Sequence, residues 1–170
     1  MITLSAENIN VRAPYKVERV DDNIFMFETK QNIIYNVGFV PDTSFMDKGL
    51  YQFFIINASG RSIRADKDVF ETVRVIIEEF FTQKEPVMLY ICDTTDKRQV
   101  YRDRLFRIWF HAYILNDAYT MYNEQMTLDN VRYFSSIILR KDHPLHNQVI
   151  CSFHNYIMEH VQSVNEWQAN

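Results

Sequence analysis

Within ten residues, from Asp93 to Arg102, the chain gathers two carboxylates, two hydroxyls, two guanidinium groups and a phenol: Asp93, Thr94, Thr95, Asp96, Arg98, Tyr101 and Arg102. Asp93 to Asp96 form an acidic turn in which each side chain can accept from the first free amides of a following helix, and such a cap contributes about 0.5–2 kcal/mol. The same turn could supply an acid or ligands to a hard cation, although two carboxylates without a His or a third acid at fixed spacing make a weak metal set. Helical periodicity puts Arg98 and Arg102 beside an apolar stripe of Tyr101, Leu105 and Trp109 rather than opposite it. Guanidinium groups over partly buried ground demand an anion, because an unpaired interior charge is costly. That anion is either Asp93 or Asp96 or an external ligand, and the spacing leaves both open.

The elements that position this group are legible on either side of it. Val87 to Cys92 is an unbroken apolar run, as expected of a strand buried on both faces of a sheet. The following helix is predicted from about Asp96 to Leu115, burying Tyr101, Leu105, Ile108, Trp109, Ala112 and Tyr113 and turning Asp103, Arg107 and His111 outward. A strand that ends beside the free amides of a helix start is a common place for anion binding.

Upstream, Tyr15–Val20, Ile24–Thr29, Ile33–Val40 and Leu50–Asn57 are short β-prone runs separated by turn residues, which predicts a four-stranded antiparallel meander. The connection from Pro41 to Gly49 is long enough for a flap. Val69, Phe70, Val73, Ile76, Ile77, Phe80 and Phe81 recur at three- and four-residue intervals and define a helix from Asp66 to Gln83, stopped by Pro86. Tyr119–Gln125 and Val131–Arg140 read as two further strands around a turn at Thr127–Asn130. Asp142 and Pro144 then cap and open a last helix that holds its spacing to Trp167.

The expected fold class is therefore α+β. It comprises a mixed, largely antiparallel sheet of about seven strands with three helices, in the order ββββαβαββα. The 170 residues, 47% of them hydrophobic, suffice for one core, and without a Pro/Gly/Ser linker or a repeat the expectation is a single domain over residues 1–170.

A net charge of −4 argues against a protein that coats nucleic acid, because neutralising phosphates takes a basic surface. A local basic group at Lys97, Arg98, Arg102, Arg104 and Arg107 is interleaved by Asp96 and Asp103, and a solvated helix face accounts for it. Only Gly38, Gly49 and Gly60 are present, so phosphate-cradling glycine motifs are absent. Cys92 and Cys151 lack metal-ligand neighbours and a nucleophile motif, which favours free thiols in a reducing cytoplasm. The five histidines, His111, His143, His146, His154 and His160, form no ligand pair, so no metal is expected. No leader or membrane-spanning run is recognised, and a soluble cytoplasmic protein is expected.

Tyr90–Phe110, YICDTTDKRQVYRDRLFRIWF, with the helix before it, resembles a family of uncharacterised short proteins from Bacteroides-type bacteria. The resemblance extends over most of the chain and implies a bacterial protein without an assigned activity. The order of elements is also similar to the GCN5-related acetyltransferase fold, in which a Gln/Arg-x-x-Gly-x-Gly/Ala loop holds the coenzyme A pyrophosphate. Asn57–Ser62, NASGRS, meets that pattern only at Gly60. The resemblance implies that the loop at Gly60, Arg61 and Arg64, with Arg98 or Arg102, would contact acyl-CoA and that Tyr101 would protonate the leaving thiolate.

The sequence thus points to a binding or protein-interaction module with no cofactor, and leaves its standing as an enzyme open. Its partner is expected to be a protein or an anionic small molecule, with neither nucleic acid nor membrane. The aromatic-rich last helix suits either the chain's own sheet or a second subunit. The alternative is a divergent acyl-CoA-dependent N-acyltransferase, with acyl-CoA as cofactor.

Overall fold

The computed structural model describes residues 2–61, 65–92, 99–111, 118–128 and 130–168, with side chains of the last helix as far as Glu159. The order of elements is α1 (Ala6–Arg12), β1 (Glu18–Asp21), β2 (Ile24–Glu28), β3 (Ile34–Asp42), β4 (Leu50–Asn57), α2 (Lys67–Phe81), β5 (Val87–Ile91), α3 (Gln99–Trp109), β6 (Tyr119–Leu128), β7 (Val131–Arg140) and α4 (His146–Gln168). The class is α+β, with seven strands hydrogen-bonded in the order β1-β2-β3-β4-β5-β7-β6. The pairs β1–β2, β2–β3, β5–β7 and β6–β7 are antiparallel. There are four helices among the described residues rather than the expected three, because α1 precedes the meander.

The chain divides into two compact units, Met1–Val40 with Phe53–Pro86 and Pro41–Gln52 with Val87–Asn170, so β4 begins in the second and ends in the first. In the first unit the turns suit their residues. Asn23 and Asn32 take positive φ, 55° and 56°, a conformation that asparagine tolerates at low cost. Strand alternation then places Phe25, Phe27, Tyr35, Val37 and Phe39 in the core, with Phe25 opposite Val37 and Phe27 opposite Tyr35. The apolar stripe of α2 closes this core: Val69, Val73, Ile76, Ile77 and Phe80 are buried, and the Phe80 ring stacks on Phe39 at 4.1 Å. A Cβ at Gly38 would meet Asn23 O and Ile24 Cγ1 at 2.9 Å, so the close approach of the chain there requires glycine.

Helix α1 is two turns long and contributes one buried apolar side chain, Ile9, too little for periodicity to reveal. Local signals do exist. Ser5 caps the helix by accepting from Asn8 N, and Glu7 sits in its first turn, where a cap and a negative charge are both favourable. What stabilises so short a helix is tertiary: the buried Glu79 of α2 accepts from Ser5 N and from Asn8 Nδ2, both at 3.2 Å.

The second unit is built on the antiparallel set β5, β7 and β6. Val87, Met88, Leu89 and Tyr90 are all buried, as the continuous apolar run requires. Leu50, Val87, Leu89, Ile137 and Leu139 form a core with Val149, Phe153 and Ile157 of α4. The connection from Pro41 to Gly49 is packed rather than free at Phe45, whose ring lies 5.5 Å from Phe153 and 5.7 Å from Tyr156.

Two local expectations are corrected here. Strand β6 runs to Leu128, opposite Val131, because the hairpin closes in two residues with Asn130 at φ 63°, a tight turn of the kind that favours asparagine, instead of the four residues expected for the turn. Asp142 does not cap α4. It pairs with Arg140 at 2.7 and 2.8 Å, and His143 Nδ1 accepts from Leu145 N at the helix entrance.

Candidate functional site

The strand-to-helix junction is described in its flanks, the end of β5 and the inner face of α3, both in the second unit; residues 93–98 between them lie outside the described residues. Cys92 N donates to Phe134 O at 3.0 Å, which fixes the end of the strand beside β7. Tyr90 and Phe106 meet with ring centroids 3.9 Å apart, so Phe106 is the side chain that seats α3. With Phe106 inward, the buried line of the helix is Gln99, Asp103 and Phe106, continued by Phe110, at the spacing i, i+4, i+7 and i+11 of one helical face.

Arg107 and His111 are exposed as expected and Leu105 and Trp109 are half-buried, but the rest of the expected stripe, where described, is rotated. Tyr101 and Ile108 are 65% and 50% exposed, whereas Asp103 is 3% exposed. Apolar periodicity favours the wrong face because it counts Asp103 as solvated. A carboxylate can instead be buried when a cation one turn away answers it, and Arg107 Nη2 donates to Asp103 Oδ2 at 2.6 Å.

The ionisation states limit the chemistry of this junction. Burial holds the Asp103 carboxyl above its ordinary range, and Arg107 pulls it only part of the way back. Burial also pushes the Cys92 thiol up to about 11, and raises the Tyr90 phenol to which it is hydrogen-bonded. Arg102 is half-buried, and its charge acts against these shifts at Tyr90 and Cys92 without outweighing burial. At neutral pH the junction therefore presents a neutral thiol and a neutral phenol, not an activated nucleophile.

Gln99 Oε1 is buried and has no hydrogen-bond partner among the described residues. One consequence of burial is measurable: a thiol reagent added to the native protein should titrate the exposed Cys151 rapidly and Cys92 only on unfolding. Equal native reactivity of both thiols would contradict this burial.

The outer face of α3 is different in character. Arg104, Arg107 and Ile108, with His111 just beyond the helix, are all exposed and border one shallow, open surface depression. Three of the four can carry positive charge. Arg107 shares its charge with Asp103, which leaves Arg104 as the cation of this face most available to a partner. Sequence reasoning places Arg104, Arg107 and His111 on a solvated helix face but buries Ile108; the spacing of i, i+3, i+4 and i+7 is the available signal.

Asp93, Asp96, Arg98 and Arg64 lie outside the described residues. Gly60 and Arg61 belong to the first unit and Tyr101 and Arg102 to the second. Gly60 takes φ 65° in a turn closed by its neighbours: Asn57 Oδ1 accepts from Ser59 N at 3.1 Å, and Asn57 Nδ2 donates to Arg61 O at 2.8 Å. Arg61 Nη1 donates to Asn32 O at 3.2 Å. The start of α2 is served by Asp66, whose side chain accepts from Asp68 N at 2.9 Å and from the Tyr15 hydroxyl at 2.7 Å. Among the described residues no group of three or more His, Cys, Asp or Glu is placed to hold a metal ion, and no helix is long and apolar enough to cross a membrane.

Compared with known proteins, residues 65–155, more than half of the chain, match the model of a family of unknown function, DUF6169. The matched stretch contains α2, β5, α3, β6, β7 and the first turns of α4. No curated protein and no solved structure matches the chain.

Proposed function

The chain belongs to this family of unknown function, and we propose that it is an interaction module whose outer α3 face receives an acidic segment of a partner protein. The observation that carries this reading is the grouping of Arg104, Arg107, Ile108 and His111 around one open surface depression. Cationic groups surrounding an isoleucine suit a peptide that alternates carboxylates with an apolar side chain, since rim charges steer the encounter and the apolar contact adds burial. Nucleic acid is a poorer fit, because the chain carries a net charge of −4 and the face offers one isoleucine where a base would need an aromatic platform. The acyl-CoA alternative has less support. Asp66 brings negative charge to the start of α2, near which a pyrophosphate would have to bind, and Tyr101 is surrounded by solvent.

The test is fluorescence anisotropy with a labelled peptide of alternating Glu and Leu, alongside a single-stranded oligonucleotide of equal charge. Saturable peptide binding is expected, and Arg104→Glu should weaken it about tenfold without changing the melting temperature. Tighter binding of the oligonucleotide, or peptide binding indifferent to Arg104→Glu, would overturn the reading.

A further inference from the structure

Strand β6 stands last in the strand order and, among the described residues, pairs on one side only, with β7. A sheet edge exposes unpaired backbone donors and acceptors, and proteins usually blunt it with prolines, lysines, a bulge or shortness. The edge at β1 is blunted in this way. It has four residues, all exposed, three of them charged, with a register shift between Arg19 and Asp21.

The β6 edge has none of these devices. Its ten residues, YTMYNEQMTL, include no Pro, Gly, Lys or Arg. The register with β7 is unbroken from Tyr119 opposite Arg140 to Leu128 opposite Val131. The one formal charge, Glu124, is already engaged by His154 Nδ1 at 2.9 Å. Asn123, Gln125 and Thr127 are exposed in alternation, so one row of the strand is polar. Such an edge can stay in water and still present a continuous line of backbone groups to an incoming strand.

We propose that β6 is a β-augmentation site occupied by β6 of a second copy of this chain, antiparallel, with the two-fold axis at Asn123. Geometry and strand length restrict the register: over Tyr119–Leu128 the longest self-pairing centres on Asn123 or Glu124. Directly opposed residues of an antiparallel pair point to the same face, and a two-fold axis normal to the sheet preserves faces, so some residue must oppose its own copy. Centring on Glu124 would set two carboxylates against each other, which is destabilising. Centring on Asn123 opposes Tyr122 with Glu124, Met121 with Gln125, Thr120 with Met126 and Tyr119 with Thr127, and no like charges meet. Asn123 Oδ1 already accepts from Ser136 Oγ at 2.8 Å, which leaves its amide nitrogen to donate across the axis. This pairing uses a different element from the α3 face and stands or falls independently of it.

Sedimentation equilibrium of the full chain at micromolar concentrations is expected to show a species of twice the 20.4 kDa chain mass. Asn123→Lys, which opposes two ammonium groups at the axis on an exposed site, should raise the dimer dissociation constant about tenfold or more while the circular dichroism melt is retained. In a Cys151→Ser background, Asn123→Cys should cross-link to its copy on mild oxidation and Gln125→Cys should not, because only residue 123 opposes itself. A monomer throughout, including one that captures an unrelated strand-forming peptide instead, would overturn the proposal. So would a dimer that is indifferent to Asn123→Lys, or one that cross-links better at residue 125.

Discussion

Phe80→Ala is expected to destabilise the protein by about 3–5 kcal/mol, the usual cost of deleting a large aromatic side chain from a closed core. Phe80 is fully buried in the last turn of α2, stacked on Phe39 at 4.1 Å and meeting Phe81 edge-on at 5.0 Å. Phe39 lies on a strand and also contacts Phe53 at 5.5 Å, so its backbone cannot collapse far into the space left behind. Lost transfer energy and an incompletely filled cavity therefore add. Urea denaturation followed by circular dichroism measures the loss as a lower midpoint at an unchanged slope. A cost under about 1 kcal/mol would mean that the site repacks and that the ring stack does not organise this core.

The second large effect concerns the two partners of one ion pair, whose removals should have opposite consequences. Arg107→Ala leaves the Asp103 carboxylate buried without its cation and is expected to cost about 2 kcal/mol at neutral pH. That lies below the loss for a wholly buried pair because the Arg107 side chain is 45% exposed. Asp103→Asn removes the buried charge itself, keeps the shape, and should be neutral or stabilising by up to about 1 kcal/mol.

The pH dependence separates charge from packing. Burial raises the Asp103 carboxyl above its ordinary value of 3.8, with Arg107 opposing the shift. The folded chain then holds this proton more tightly than the unfolded chain does. Stability from this group is present below 3.8 and is lost as pH rises through the raised value. Without Arg107 the carboxyl rises further, so the Arg107→Ala penalty should be largest at neutral pH and shrink on acidification towards 3.8. Thermal melts of both variants across that range test this. A penalty constant with pH would assign the effect to the packing of the arginine stem instead.

Much of the fold is legible because its signals are local. Strands β2, β3 and β4 fall within or within two residues of their alternating runs, and β7 coincides with its own. Helix α2 begins one residue after Asp66, the residue from which its period is read. Helix α1 escapes because its one buried side chain makes no period, and its anchor, Glu79, is 74 residues from Ser5 in the sequence. Residue type assigns the cap of α4 to Asp142, but a nearer partner, Arg140, takes that carboxylate and His143 accepts the amide.

The chemistry is less legible than the fold. Residue type and short-range spacing suffice for the α+β class, most element boundaries, the buried character of β5 and the absence of glycine motifs for a phosphate. They do not suffice for the face of α3 that turns inward, which is set by contacts between elements. The Tyr90 ring provides a seat for Phe106, and Arg107 answers the charge of the buried Asp103. Hydrophobic periodicity cannot register this exchange between a neighbouring strand and an ion pair on the helix. That rotation buries Asp103 and Phe106 and turns Tyr101 and Ile108 outward, onto the face that already carries Arg107 and His111.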